Sequence, residues 1–190
     1  APTVLVQKYI EKKNEYCMEG FAANKGKDVL IAIVNTYNYL LPDYYSPYMT
    51  VKQMDNEYIR KALEGMFAEI GFEGVYEVEF LIDQDGTYYF GEINFRNSTW
   101  SYAATKAGMP LPVLWAETQE NGYLREDAKK EFEDFTAMVE PIDYAKRVKT
   151  GKIDQAEWLK DFKEAKCGYY YSAEDMEPWR ICVENWDNLG

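Results

Sequence analysis

Among 190 residues there is no histidine. That absence removes every histidine general base, every Ser-His-Asp arrangement and every histidine-ligated zinc site. Whatever chemistry the chain carries must run on carboxylates, arginine, lysine, tyrosine or a metal. Cysteine is scarce: Cys17, Cys167 and Cys182 are few and odd in number. A reduced, cytoplasmic setting is therefore the default. No apolar run approaches membrane-spanning length, and no signal peptide is visible. Positive charge is short as well. Lys and Arg number 21 against 33 Asp and Glu, a net charge of −12. That balance argues against a nucleic-acid partner, which needs a basic surface. A phosphate-bearing ligand would have to arrive with cations. Internal repeats, low-complexity segments and zinc-ligand spacings are also missing.

The most informative stretch present is 74–96, GVYEVEFLIDQDGTYYFGEINFR. It reads as two strands joined at Asp85-Gly86, a strong hairpin signal. A two-residue loop sets Gln84 opposite Thr87, Glu79 opposite Glu92 and Glu77 opposite Asn94. Side chains alternate along a strand. One face then carries Glu77, Glu79, Leu81, Glu92, Asn94 and Arg96. The other carries Tyr76, Val78, Phe80, Ile82, Tyr89, Ile93 and Phe95, a core face. Facing carboxylates cost a sheet roughly 0.2–1 kcal/mol, and a bound cation reverses that sign. Mg²⁺ takes one or two carboxylates plus substrate phosphates. Arg96 can hold an anion through two parallel hydrogen bonds. The plainer alternative is a solvated polar face on a half-exposed hairpin.

The rest of the chain reads in order. Residues 3–10 (TVLVQKYI), 15–22 and 29–37 are expected strands, with turn chemistry at 24–27. Residues 40–49 read as a loop. Asp55 or Asn56 caps a helix to Ile70, stopped by Gly71, with an apolar stripe at helical spacing. Ser98 or Thr99 caps a short helix to Ala107, and another helix runs from Trp115 to about Glu120. Beyond Gly122 three helical patterns appear, at 125–138, 143–149 and 155–166, the last behind an Asp154 cap. Residues 168–186 form either a strand padding the sheet edge or a tail docked on a neighbour. The expected class is α+β. An antiparallel sheet (3–10, 15–22, 29–37, 74–82, 87–94) carries helices 55–70 and 99–107 on one face, as a first unit, 1–121. A mostly helical extension, 122–190, follows. The abrupt opening into a strand and the lack of an initiator methionine suggest a piece of a longer protein.

The order of these elements, with Gln7-Lys8-Tyr9-Ile10, Glu15-Tyr16, Glu79 and Glu92-Ile93-Asn94-Phe95-Arg96, resembles the carboxy-terminal lobe of the ATP-grasp superfamily over residues 3–114. Its nearest flavour is the carbamoyl-phosphate-synthetase-like, carboxylate–amine ligase type. The resemblance implies ATP and Mg²⁺, or Mn²⁺ in its place, as ligands. It implies Glu79, Glu92 and Asn94 as metal ligands, and Arg96 as the residue steadying phosphate or acyl phosphate. It implies Gln7, Lys8, Tyr9 and Ile10 as the adenine hinge, Glu15 at the ribose and Leu81 under the adenine ring. Position 7 is more often glutamate in such hinges, which weakens a side-chain contact to adenine. The phosphate-binding lysine pair and glycine-rich loop of the other lobe are not recognisable, and 122–190 matches no core element. The implied activity is that of half a ligase site. A small-molecule carboxylate and a nucleophile are the implied substrates, and the remaining lobe of the same parent is the partner. Neither nucleic acid nor membrane is expected as a partner, and the half-site alone is not expected to turn over ATP. Two other classes fit the residues: a non-catalytic nucleotide-binding or scaffold domain, and a carboxylate-metal hydrolase that needs no hinge.

Overall fold

The computed structural model describes residues 3–41 and 45–185. Seven strands form one sheet: β1 (Lys12–Ala23), β2 (Asp28–Tyr37), β3 (Tyr48–Lys52), β4 (Gly74–Asp83), β5 (Tyr88–Asn94), β6 (Phe135–Met138) and β7 (Cys167–Gly168). Their order is β5-β4-β1-β2-β3-β6-β7. Every pairing is antiparallel except β6 with β7. Helices α1 (Glu57–Ile70), α2 (Ser101–Lys106), α3 (Leu111–Asn121), α4 (Glu140–Arg147), α5 (Gln155–Glu164) and α6 (Glu177–Glu184) complete the chain. The α+β class and the mainly antiparallel sheet are as the sequence led us to expect.

Helix α1 forms where its caps allow. The Asn56 side chain accepts from the Ile59 N–H at 3.1 Å, and Gly71 ends the helix in the left-handed region at φ 62°. Its buried stripe is Ile59, Leu63 and Phe67. The stripe packs on Met18, Val34, Tyr76 and Val78, each buried side chain contributing about 1.5–3 kcal/mol. Helix α2 was expected against this same core, but it lies on the opposite face. Trp100, Ala103 and Ala104 cluster there with Cys17, Phe21, Met49 and Val51, and α3 adds Leu111 and Leu114. The reason lies in β1, which alternates between the two cores: Cys17, Phe21 and Ala23 serve one, Tyr16, Met18 and Ala22 the other. A strand buried on both faces needs helices on both.

Four local readings are corrected. Residues 3–10 form no strand, and Val4, Leu5 and Val6 are 75–86% exposed. β1 is already paired on both sides, by β2 and β4, so this run has no ladder beside β1 to join. Strand β3 begins inside the stretch read as a loop; residues 42–44 of that loop lie outside the described residues. Residues 125–138 are a short 3₁₀ turn, Glu126–Ala128, and then β6. A four-residue apolar run cannot be told from a helix fragment by period alone, and the open edge of β3 takes it as a strand. Helix α3 starts at Leu111 because Pro112 occupies its first turn, where proline is tolerated. In the tail, β7 pads the sheet edge for two residues and α6 follows; Trp186 lies outside the described residues. Strands β6 and β7, from beyond Gly122, thus extend the same sheet as β1–β5.

Candidate functional site

The hairpin of β4 and β5 positions the site. Its turn differs from the two-residue loop expected. The Asp83 N–H donates to Thr87 O at 3.1 Å, leaving three residues, Gln84 to Gly86, in the loop. Gly86 supplies the left-handed conformation there, φ 82°. Asp83 Oδ1 accepts from the N–H groups of Asp85 and Thr87, and those bonds hold its carboxyl below the usual range. The extra loop residue slides the register by one near the turn, pairing Leu81 with Tyr89. An irregularity after Glu79 leaves Gly91 as a bulge and restores the expected pairs, Glu79 with Glu92 and Glu77 with Asn94. Tyr89 therefore falls on the Leu81 side instead of the core face where alternation had placed it. Its hydroxyl accepts from Lys8 Nζ at 3.3 Å. Phe95 is also no core residue: it is half exposed, with its ring against Phe72.

β1 brings further carboxylates alongside. It pairs with β4 so that Glu15 meets Leu81, Cys17 meets Glu79 and Glu19 meets Glu77. Five glutamates thus share one face: Glu15, Glu19, Glu77, Glu79 and Glu92. The sequence reading had picked out Glu15, Glu77, Glu79 and Glu92 but not Glu19. The signal was present in the alternation Glu15-x-Cys17-x-Glu19, but the pairing of β1 with β4 was needed to read it.

Asn94 sits at the centre of this face. Its Nδ2 donates to Glu77 Oε2 at 3.1 Å, Glu92 Oε1 at 3.1 Å and Glu79 Oε1 at 3.4 Å. Its Oδ1 accepts from the Arg96 guanidinium at 3.2 Å. Glu79, Glu92, Asn94 and Arg96 are thus brought together. Burial, then repulsion from Glu77, Glu92 and Glu15, pushes the Glu79 carboxyl up to about 7. Burial also raises Glu77. Glu19 is fully buried. It accepts from Ser101 Oγ at 2.8 Å and from Ser98 Oγ, yet burial and Glu77 still push it up to about 8. Among the described residues, no group of three or more acidic or thiol side chains is arranged to hold a metal. Two carboxylates and an amide oxygen would need ligand oxygens to complete a magnesium shell. The donor set fits on those terms. The amide N–H₂ now answers charges that a cation would answer more strongly, and turning the amide over would present its oxygen.

Beside the carboxylates runs an open cleft of about 980 Å³ lined by Lys8, Tyr9, Ile10, Glu15, Leu81 and Glu79, among others. Gln7 is exposed in the same extended segment. Lys12 pairs with Glu15 at its edge. A smaller pocket of about 150 Å³, holding Glu77, Arg96 and Ser98, shares Glu79 with the cleft. Tyr37 and Tyr45 also line both, so Glu79 is the carboxylate common to the two.

The chain's likeness to known proteins lies in its structure. No protein-family model matches it. No curated protein matches it by sequence. Solved structures do match. N5-carboxyaminoimidazole synthetase from Staphylococcus aureus superposes with a TM-score of 0.55 at 16% identity, covering 77% of this chain and 40% of that one. That likeness shows a shared fold. The biotin carboxylase–β-γ-ATP complex from Campylobacter jejuni gives a TM-score of 0.55 at 18% identity over 70% of this chain and 31% of its own. L-amino acid ligase from Bacillus licheniformis gives 0.53 at 16% over 69% and 36%. The chain spans well under half the length of each of these proteins. No helix of the described residues is long and apolar enough to cross a membrane.

Proposed function

We propose that the chain is the ATP- and magnesium-binding half of an ATP-dependent ligase, its carboxy-terminal ATP-grasp lobe. The parent would activate a carboxylate as an acyl phosphate for attack by an amine or similar nucleophile, as carbamoyl-phosphate-synthetase-like ligases do. One observation carries the reading: Glu79 borders both the cleft walled by Tyr9, Ile10, Glu15 and Leu81 and the pocket holding Arg96. A nucleotide lying along the cleft, with its base on Leu81 and the hinge 7–10 and its ribose near Glu15, would bring its phosphates to that junction. Glu79, Glu92 and Asn94 would hold Mg²⁺ or Mn²⁺ there, and the metal would neutralise charge on the phosphates. Arg96 would steady the transferring group. The other lobe of the parent would supply the remaining cations.

The test compares the full-length parent with this chain, each given Mg²⁺-ATP and a panel of carboxylates and amines. Phosphate release by the parent, lost in the double variant Glu92→Gln, Asn94→Ala, is the expected outcome. Release that survives both substitutions would move the metal away from this hairpin. The incomplete metal shell favours a second reading, a nucleotide-binding domain without turnover. A parent that binds Mg²⁺-ATP but releases no phosphate with any pair in the panel would select it.

A further inference from the structure

A second cavity, of about 540 Å³, opens among α2, the end of α5 and the chain following β7. Its size is that of a small-molecule site. Three of its lining residues are Lys106, Lys163 and Lys166. None of them forms an ion pair with a carboxylate among the described residues. That is unusual in a chain of net charge −12, where acidic neighbours are plentiful. Lys106 instead lies over the Tyr102 ring at 5.2 Å, and Lys166 over Phe135 at 4.8 Å. These contacts hold the two ammonium groups over ring faces, with no carboxylate as counter-anion.

The floor of the cavity is already built. Glu140 is fully buried. Its carboxylate accepts the successive backbone N–H groups of Tyr169, Tyr170 and Tyr171 at 2.9–3.3 Å. Three convergent amides make an anion cradle, and here the protein's own carboxylate fills it, fixing the wall that carries Tyr171. One other carboxylate, the exposed Glu174, stands at the rim. The walls are aromatic: Tyr102, Phe162 and Tyr171.

We propose that this cavity binds a phosphorylated small molecule, its phosphate met by Lys106, Lys163 and Lys166 and its organic part by the three rings. Lysine serves phosphate as a compact point charge, and flat rings serve an organic body by stacking. The site is independent of the carboxylate cleft: it needs no divalent cation, and its success or failure says nothing about Glu79 or Glu92.

Phe162 stacks on both Trp158 and Trp179, with centroids 5.3 Å apart in each pair, so occupancy will alter tryptophan fluorescence. The test is a fluorescence titration of the 190-residue chain with inorganic pyrophosphate in metal-free buffer at constant ionic strength. A saturable change is expected. Lys106→Ala and Lys166→Ala should each weaken it about tenfold, one charge-assisted contact. Lys106→Arg should keep most of it, and Lys61→Ala, on α1, should leave it unchanged. The idea is overturned by no saturable response at millimolar pyrophosphate. An equal loss in Lys61→Ala would also overturn it, since bulk charge would then be the cause. So would tighter binding of citrate, because a tricarboxylate would then be the better ligand.

Discussion

Glu19 is the residue whose behaviour is most sharply set by its surroundings. It is buried against Glu77 and held by two serine hydroxyls, with its carboxyl pushed up to about 8. The folded state therefore binds its proton more tightly than the unfolded chain, where an ordinary glutamate loses it near 4.3. Stability from this group is complete below that ordinary value and is lost as pH rises towards 8. We expect urea-unfolding stability to fall between pH 5 and 8, and Glu19→Gln to flatten that fall. The conservative amide keeps partners for Ser98 and Ser101 without the charge. A wild-type profile that rises over this range, or a variant with an unchanged slope, would show that another group sets the dependence. Gly20, its neighbour, makes a different residue-scale prediction. A methyl group there would stand 2.1 Å from Leu30 O and 2.6 Å from the Tyr76 hydroxyl. Gly20→Ala should cost about 1–3 kcal/mol by overpacking, read as a lower urea midpoint with unchanged slope. An unchanged midpoint would mean that β1 and β2 part easily at this point.

Among the elements, the β4–β5 hairpin shows what alternation can and cannot give. The facing pairs Glu79 with Glu92 and Glu77 with Asn94 could be read directly, because the Asp85-Gly86 turn and the two-residue period set the parity. Two deviations of one residue each, a longer loop and the bulge at Gly91, cancel by the time the chain reaches Glu92. Only the residues between them move, which is why Tyr89 changed face. Neither deviation has a signature in the apolar pattern. Long-range pairing was the other blind spot. Nothing local to residues 15–19 says that β1 lies beside β4, and so Glu19 and the two-sided core were illegible. Helix α1 was fully legible because its caps and stripe are local. The last third of the chain was the least so. There Asp143, wholly buried on α4, accepts from the Tyr39 hydroxyl at 2.6 Å and Trp158 Nε1 at 2.9 Å, and pairs with Arg147. Asp143→Ala would leave the Tyr39 hydroxyl and Trp158 Nε1 without this acceptor and Arg147 with Asp161 alone, and so unlatch α4 from both α5 and the segment after β2. A loss of about 2–4 kcal/mol in urea unfolding is expected from the two donors so deprived. A loss below about 1 kcal/mol would show that the cluster is dispensable.

At the scale of the whole molecule, charge decides. A chain of net −12 repels a nucleotide until cations arrive, and its carboxylate face concentrates that repulsion where the phosphates would lie. ATP should therefore bind measurably only when Mg²⁺ is present, and equal affinity in metal-free buffer would place the nucleotide elsewhere. The chain alone should not turn over ATP. Loss of one charge-stabilising donor from a preorganised site costs about 3 kcal/mol, roughly a hundredfold, and the other lobe of the proposed parent would supply several.

A paramagnetic ion reports most directly whether Glu79, Glu92 and Asn94 hold one divalent cation. Substoichiometric Mn²⁺ added to the isotope-labelled chain broadens the amide signals nearest to wherever it binds. Broadening should centre on the signals of Glu79, Glu92 and Asn94, be reversed by excess Mg²⁺ and be sharply reduced in Glu92→Gln. Broadening centred on another acidic stretch, or a pattern at the hairpin that Glu92→Gln leaves intact, would contradict that placement.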